Sequence, residues 1–235
     1  MALQESCILL SDWHIGQLFR LAYNEYSLHI AERRICEFVD QYAVRHKSTG
    51  ADVVHIQMLG DFIHNETMRG SARSECEFGF PQQQDHAARM LVEVVRYVEA
   101  LGPEVRCYGV VGNHGRAGKP GENATASNYD NSVYLQVNRM LAADSPAQVK
   151  ISDDKYTVAT VCGKTKRIIG THGDQVGGWG NNIPVQALVN LGFRASDTHG
   201  YAEIMTFGHG HRGFYISPGN KVYIGNASLC GETPF

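Results

Sequence analysis

Asp12, His14, Asp61, Asn113, His172, His209 and His211 are the side chains through which this sequence could do chemistry. Two carboxylates, one amide oxygen and four imidazoles form a donor set of hard oxygens and borderline nitrogens. Such a set suits Mn, Fe(II) or Zn better than Mg or Ca. Each residue lies in a strand-to-loop position beside a glycine or a tight-turn residue. The stretches are Ser11-Asp12-Trp13-His14-Ile15-Gly16, Leu59-Gly60-Asp61-Phe62-Ile63-His64, Gly112-Asn113-His114-Gly115-Arg116, Thr171-His172-Gly173 and Gly208-His209-Gly210-His211. A carboxylate has two oxygens, so Asp61 could bridge ions ~4 Å apart, a spacing that clamps the attacking and leaving oxygens of a phosphoryl group. Taken singly, an acidic residue at a strand end is more often a helix cap than a ligand. Five clusters in order, the first three spaced by roughly fifty residues as successive βα units require, argue otherwise.

The elements that must position these residues are readable from periodicity. Ser6–Leu10, Val53–Met58 and Val105–Val111 are short apolar runs expected to be buried strands. If the first stays extended into its loop, Asp12 and His14 point the same way and reach one ion. Helical spacing of apolar residues predicts helices over Glu25–Lys47, Gln82–Leu101 and Asn128–Ala142. Between Asn65 and Pro81 a long loop carries Arg69, Arg73, Glu75, Phe78 and Phe80. The second half changes character. Gln148–Ile151, Tyr156–Val161 and Arg167–Gly170 read as short strands, more antiparallel than βαβ, and Pro184 opens a helix to about Leu191. A buried strand Ile204–Phe207 and a hairpin Phe214–Ile216/Val222–Ile224 complete the chain. Trp179, flanked by glycines, is either a stacking platform for a base or a loop aromatic packed onto the domain; His55 reads as a satisfied core histidine.

With 235 residues, 43% of them hydrophobic, the chain can bury a sizeable core, and residues 1–235 are expected to form one domain. A net charge of −3 and a pI near 6.4 give no strong basic field, so any grip on a polyanion must be local. Cys7, Cys36, Cys76, Cys107, Cys162 and Cys230 are scattered without a CxxC pair. With no signal-peptide pattern and no membrane-spanning run, a reduced, cytoplasmic protein with no membrane partner is expected.

Together the five motifs resemble the calcineurin-like metallophosphoesterase family over nearly the whole chain. The opening Ser11-Asp12-Trp13-His14-Ile15-Gly16-Gln17 and the helix after it are most similar to the DNA-repair nuclease subunits of the SbcD type. The resemblance implies an α/β fold, a four-layer α/β/β/α sandwich of two mixed sheets flanked by helices. It implies two divalent metal ions, most simply Mn²⁺, with Fe²⁺ or Zn²⁺ as alternatives. One ion would take Asp12, His14, Asp61 and His211, the other Asp61, Asn113, His172 and His209. A metal-bridging hydroxide would attack phosphorus in line. His114 would stabilise or protonate the leaving oxygen, with His64 in a supporting role near the substrate. The resemblance also implies a DNA substrate and an ATPase partner subunit or a homodimer.

One position departs from the family, which usually has an acidic residue where Gly115 stands, so the partner of His114 must come from elsewhere, Glu122 or Asp174 being within the motif-bearing loops. From its position, Arg116 is expected to contact a phosphate oxygen. Against a nuclease stand the acidic pI and the lack of an obvious C-terminal DNA-capping region. The alternatives are a small-molecule phosphodiesterase of the cyclic-nucleotide type, a phosphoprotein phosphatase, and a non-catalytic scaffold that keeps the fold.

Overall fold

The computed structural model describes residues 3–68, 72–161, 164–180 and 182–231; Arg69, Cys162 and Asn181 lie outside them. In chain order the elements are β1 (Glu5–Leu10), β2 (Phe19–Arg20), β3 (Glu25–Tyr26), α1 (Leu28–Thr49), β4 (Val53–Met58), α2 (Phe80–Ala100), β5 (Glu104–Gly109), α3 (Tyr129–Leu141), β6 (Val149–Ile151), β7 (Thr157–Val161), β8 (Lys166–Thr171), α4 (Val185–His199), β9 (Ile204–Phe207), β10 (Phe214–Ile216) and β11 (Val222–Gly225).

Two sheets carry the fold, in orders β1-β4-β5-β6 and β10-β11-β9-β8-β7, with β2-β3 as a small separate ribbon. All six residues of β4 are buried, as befits a strand covered on both faces. On one side Ile8, Ile56 and Cys107 pack against Ile35, Leu91, Val95 and Val137 from α1, α2 and α3. In the second sheet Ile169, Met205, Phe207 and Tyr223 pack against Leu188, Leu191 and Ala195 of α4. Between the sheets lie Tyr108, Ala159, Val161 and Ile168, and Gln57 bridges them by donating to Thr157 (3.3 Å) and accepting from Thr206 (2.6 Å). The layers therefore run helices, sheet, sheet, helix, a mixed α/β architecture. No helix of the described residues is long and apolar enough to cross a membrane.

Several expectations need correction. The first sheet is parallel throughout rather than mixed. The stretch containing β6 does not join the antiparallel set: Val149 pairs with Cys107 of β5, making α3 a crossover helix. A three-residue strand leaves too little pattern to separate the two cases. α1 starts later than its apolar spacing implied, because the Ser27 hydroxyl caps it by accepting from Ile30 N–H and Glu25–Tyr26 pairs with Phe19–Arg20. Pro81 lies in the first turn of α2, which begins at Phe80, and α4 continues past Leu191 to His199. The long loop holds a 3₁₀ turn, Ala72–Glu75.

Candidate metal centre

The carboxyl ends of β1, β4, β5, β8 and β9 deliver the seven residues to one place. The β1 and β4 exits run side by side, Asp12 N–H donating to Gly60 C=O (3.0 Å), His14 N–H to Asp61 C=O (3.0 Å) and Ile15 N–H to Phe62 C=O (2.9 Å). Asp12 and His14 do reach the same region, but not as an extended strand. Both are left-handed, at φ 54° and 48°. Of the seven non-glycine residues with positive φ among those described, six belong to the site: Asp12, His14, Asp61, Asn65, His209 and His211. Such conformations cost about 1–2 kcal/mol each and persist where the surroundings over-determine them.

Close backbone approach fixes the β4 and β5 exits against each other. A Cβ at Gly60 would lie 2.3 Å from Gly112 N, and one at Gly112 would lie 2.1 Å from Asp61 Oδ1. The fully buried Asp130, from the first turn of α3, ties them together. Its carboxylate accepts from Asp61 N–H (3.0 Å), Phe62 N–H (3.1 Å) and Gly112 N–H (2.8 Å). Burial, followed by the charge of Asp61, pushes the Asp130 carboxyl up to about 6. Asp130→Ala would leave three buried donors without that acceptor, at ~1–3 kcal/mol each, while relieving one buried acid. The net expected loss is about 3 kcal/mol of stability. A denaturation midpoint unchanged from wild type would show that water or a neighbour replaces the carboxylate.

The side chains form two groups that share Asp61. In one, Asp61 Oδ2 lies 3.1 Å from His172 Nε2, which is 3.0 Å from Asn113 Oδ1, and ligand atoms of Asp61, His172 and His209 lie within 4.8 Å of one another. In the other, ligand atoms of Asp12, His14 and Asp61 meet the same limit; Asp12 Oδ1 is 4.0 Å from His14 Nε2 and 3.5 Å from His211 Nε2. His14 and His211 face each other through Nε2 atoms 3.1 Å apart, and His172 points Nε2 inward because Nδ1 donates to Leu59 C=O (2.7 Å). Asp12, His14, Asp61 and His172 are essentially inaccessible.

Electrostatics fit a cation pair. Burial pushes the Asp61 carboxyl up, but the charges of His172 and His114 outweigh it and hold the group well below its usual range. Asp12 is also lowered, burial being overcome by the His211 hydrogen bond and the His172 charge. In return His172 rises to about 10 and His211 to about 11, in each case against the opposing effect of burial. His14 is driven well below its usual value by burial and then by His114, and His209 falls to about 4 through burial and the charge of His172. The carboxylates thus draw protons onto His172 and His211, and divalent cations would displace those protons. The buried His14 Nδ1 has no hydrogen-bond partner among the described residues. This set of carboxylates, imidazoles and one amide oxygen fits two divalent ions.

His114 is oriented neither by Glu122 nor by Asp174. Its Nδ1 bonds to His64 C=O at 2.7 Å, and its own N–H donates to Asp61 Oδ1 at 2.7 Å. A backbone carbonyl replaces the acid, and Gly115 has a separate reason: a Cβ there would lie 1.9 Å from Asn128 Oδ1. Asp174 instead pairs with Arg116 and with Lys155 at 3.3 Å. His64 has its ring buried, 3.7 Å from the Glu75 carboxylate and packed against His14 and His114. Its contribution to His114 comes through the main chain. Trp179 packs down: its indole N–H donates to Gly173 C=O (3.0 Å) and its ring meets His209 edge-on. His55 is satisfied by Tyr108 and Glu5.

Sequence reasoning missed Asp130, Asn65 and Cys230. Asp130 follows an Asn cap and looks like any acid in a first turn. Asn65, which donates to His114 C=O (2.7 Å) and Arg116 C=O (3.0 Å), looks like a loop residue. Cys230, ~20 residues beyond the last motif, is brought back only by the tertiary fold.

No family model and no curated protein matches the chain. Solved structures similar to it include a predicted phosphoesterase from Streptococcus pneumoniae TIGR4, 17% identical, covering 97% of this chain and 76% of that one at a TM-score of 0.38. Vps29 from Entamoeba histolytica complexed with zinc is 15% identical, covering 97% and 77% at a TM-score of 0.43. An archaeal phosphodiesterase is 10% identical, covering 97% and 87% at a TM-score of 0.42. Likeness this loose assigns no activity.

Proposed function

We propose that this chain is a dinuclear-metal-dependent phosphoesterase, specifically a phosphodiesterase that cleaves DNA. The observation that carries the reading is Asp61, a buried carboxylate shared by two ligand clusters and held at its second oxygen by the main chain of His114. Two bound divalent ions would supply an activated water and neutralise charge on the phosphoryl oxygens. The chain's own residues do the rest. With Nδ1–H donated to His64 C=O, His114 in its doubly protonated form would give the Nε2 proton to the leaving oxygen. His172, tied to Leu59 C=O, and Asp61, tied to His114 N–H, hold their orientations without rearrangement.

The DNA reading is supported by a cavity of about 270 Å³ bordered by Gly112, Arg116, Lys119, Lys155, Asn128 and Asp174. Arg116, Lys119 and Lys155 outnumber Asp174 and the Glu122 carboxylate held by Lys119 N–H, which leaves net positive charge there, suited to the phosphate next along a strand. Arg116→Ala should raise KM for DNA about tenfold with kcat little changed, because the contact is equal in ground and transition states. An unchanged KM removes Arg116 from the site. The class is tested with Mn²⁺-loaded protein on linear DNA, a cyclic nucleotide, bis-p-nitrophenyl phosphate and a phosphopeptide. Cleavage of DNA and of the small diester is expected. Intact DNA beside a hydrolysed small diester would replace the nuclease with a small-molecule phosphodiesterase, and hydrolysis of the phosphopeptide alone would make it a phosphatase.

A further inference from the structure

The fold brings a sulfur to the metal centre. Cys230 is fully buried, and its Sγ lies within 4.8 Å of ring nitrogens of both His14 and His211, which themselves lie within that distance of each other. His211 Nε2 lies 3.5 Å from Asp12 Oδ1 while a His211 ring nitrogen lies within 4.8 Å of Cys230 Sγ, so carboxylate and thiol converge on one imidazole. The segment bearing the thiol is fastened to the candidate ligands by the main chain. Leu229 N–H and the Ser228 hydroxyl donate to Asp12 C=O at 3.2 and 2.8 Å, and Ser228 N–H donates to His211 C=O at 3.3 Å. From outside, Asn24 Nδ2 holds Cys230 C=O (2.9 Å) and Arg34 holds Leu229 C=O (2.8 Å). Cys230 Sγ sits 2.8 Å from Ser228 Oγ and 3.8 Å from Gly231 C=O. A thiol with this setting is not a small hydrophobe filling a gap, as buried cysteines usually are.

Resting on the metal-centre reading above, we infer that Cys230 is a sulfur ligand of the ion held by Asp12, His14, Asp61 and His211. On ligation the thiol loses its proton to solvent and the thiolate bonds the ion, at about 2.3 Å for zinc. The two positions then differ in kind. The position with Cys230 selects a thiophilic ion, Zn or Fe(II), whereas the Asn113, His172 and His209 position has only oxygen and nitrogen donors and accepts Mn equally well.

Cobalt tests this without reference to turnover. The purified chain is stripped with chelator and reloaded with Co²⁺, and its near-ultraviolet spectrum is compared with those of Cys230→Ser and of Cys36→Ser, whose thiol is exposed on α1. An intense thiolate-to-cobalt charge-transfer band is expected in the wild type and in Cys36→Ser, and not in Cys230→Ser. Affinity for one of the two ions should fall on the order of 10- to 100-fold in Cys230→Ser. X-ray absorption of the zinc-loaded wild type, which needs no variant to fold, should show one sulfur scatterer at about 2.3 Å. Two bound ions with no charge-transfer band and no sulfur scatterer would overturn the assignment and leave the phosphoesterase reading standing. Failure to bind any ion would overturn both.

Discussion

Asp61→Asn should abolish turnover, by on the order of 10³-fold or more, and should release at least one of the two ions. The substitution keeps size, shape and one acceptor oxygen, so the hydrogen bond from His114 N–H at 2.7 Å can persist. What goes is the charge that both clusters share. Without it His172 loses the partner 3.1 Å away that raises its basicity most, and a dication must be held by Asn113 and two imidazoles alone. The fold is expected to survive, because Asp130 still receives the main-chain N–H of position 61. Metal content and kcat are read on the same preparation. Full turnover with two ions retained would show that Asp61 does not bridge.

His114→Ala should slow the chemical step by about 10³-fold while both ions stay bound. The separation of effects follows from which atoms of His114 do what. Its contact with Asp61 is through the main-chain N–H and survives the loss of the ring, whereas leaving-group protonation needs Nε2. Substrates should therefore differ. An alkoxide leaving group such as a sugar oxygen should suffer the full loss, and p-nitrophenolate, which leaves without a proton, should suffer little. Equal losses for both, or loss of an ion, would give His114 another role.

Much of this arrangement could be read before any coordinates. β4 and β9 have the boundaries that short β-branched runs suggest, and the metal-binding residue types follow strands at glycine-marked turns because a parallel sheet puts those turns on one edge. What could not be read depends on contacts between distant segments. β6 joins the first sheet through a three-residue pairing with β5 that leaves no trace in local pattern. His114 is oriented by a carbonyl, and a carbonyl has no sequence signature. Gly115 reads as a missing acid until Asn128 is seen in the space its side chain would need. Asp12 and His14 share a side for a reason opposite to alternation along a strand, since both are left-handed. Asp130 and Cys230 illustrate the same limit: their importance is set by what packs against them.

Anomalous diffraction at the zinc edge, from crystals of the chain soaked with Zn²⁺, which suits both donor sets, tests most directly whether Asp61 joins two ions. Two peaks ~4 Å apart are expected with the Asp61 carboxylate between them, Asp12, His14 and His211 around one, and Asn113, His172 and His209 around the other. A single peak, or two that do not share Asp61, would contradict that bridging role.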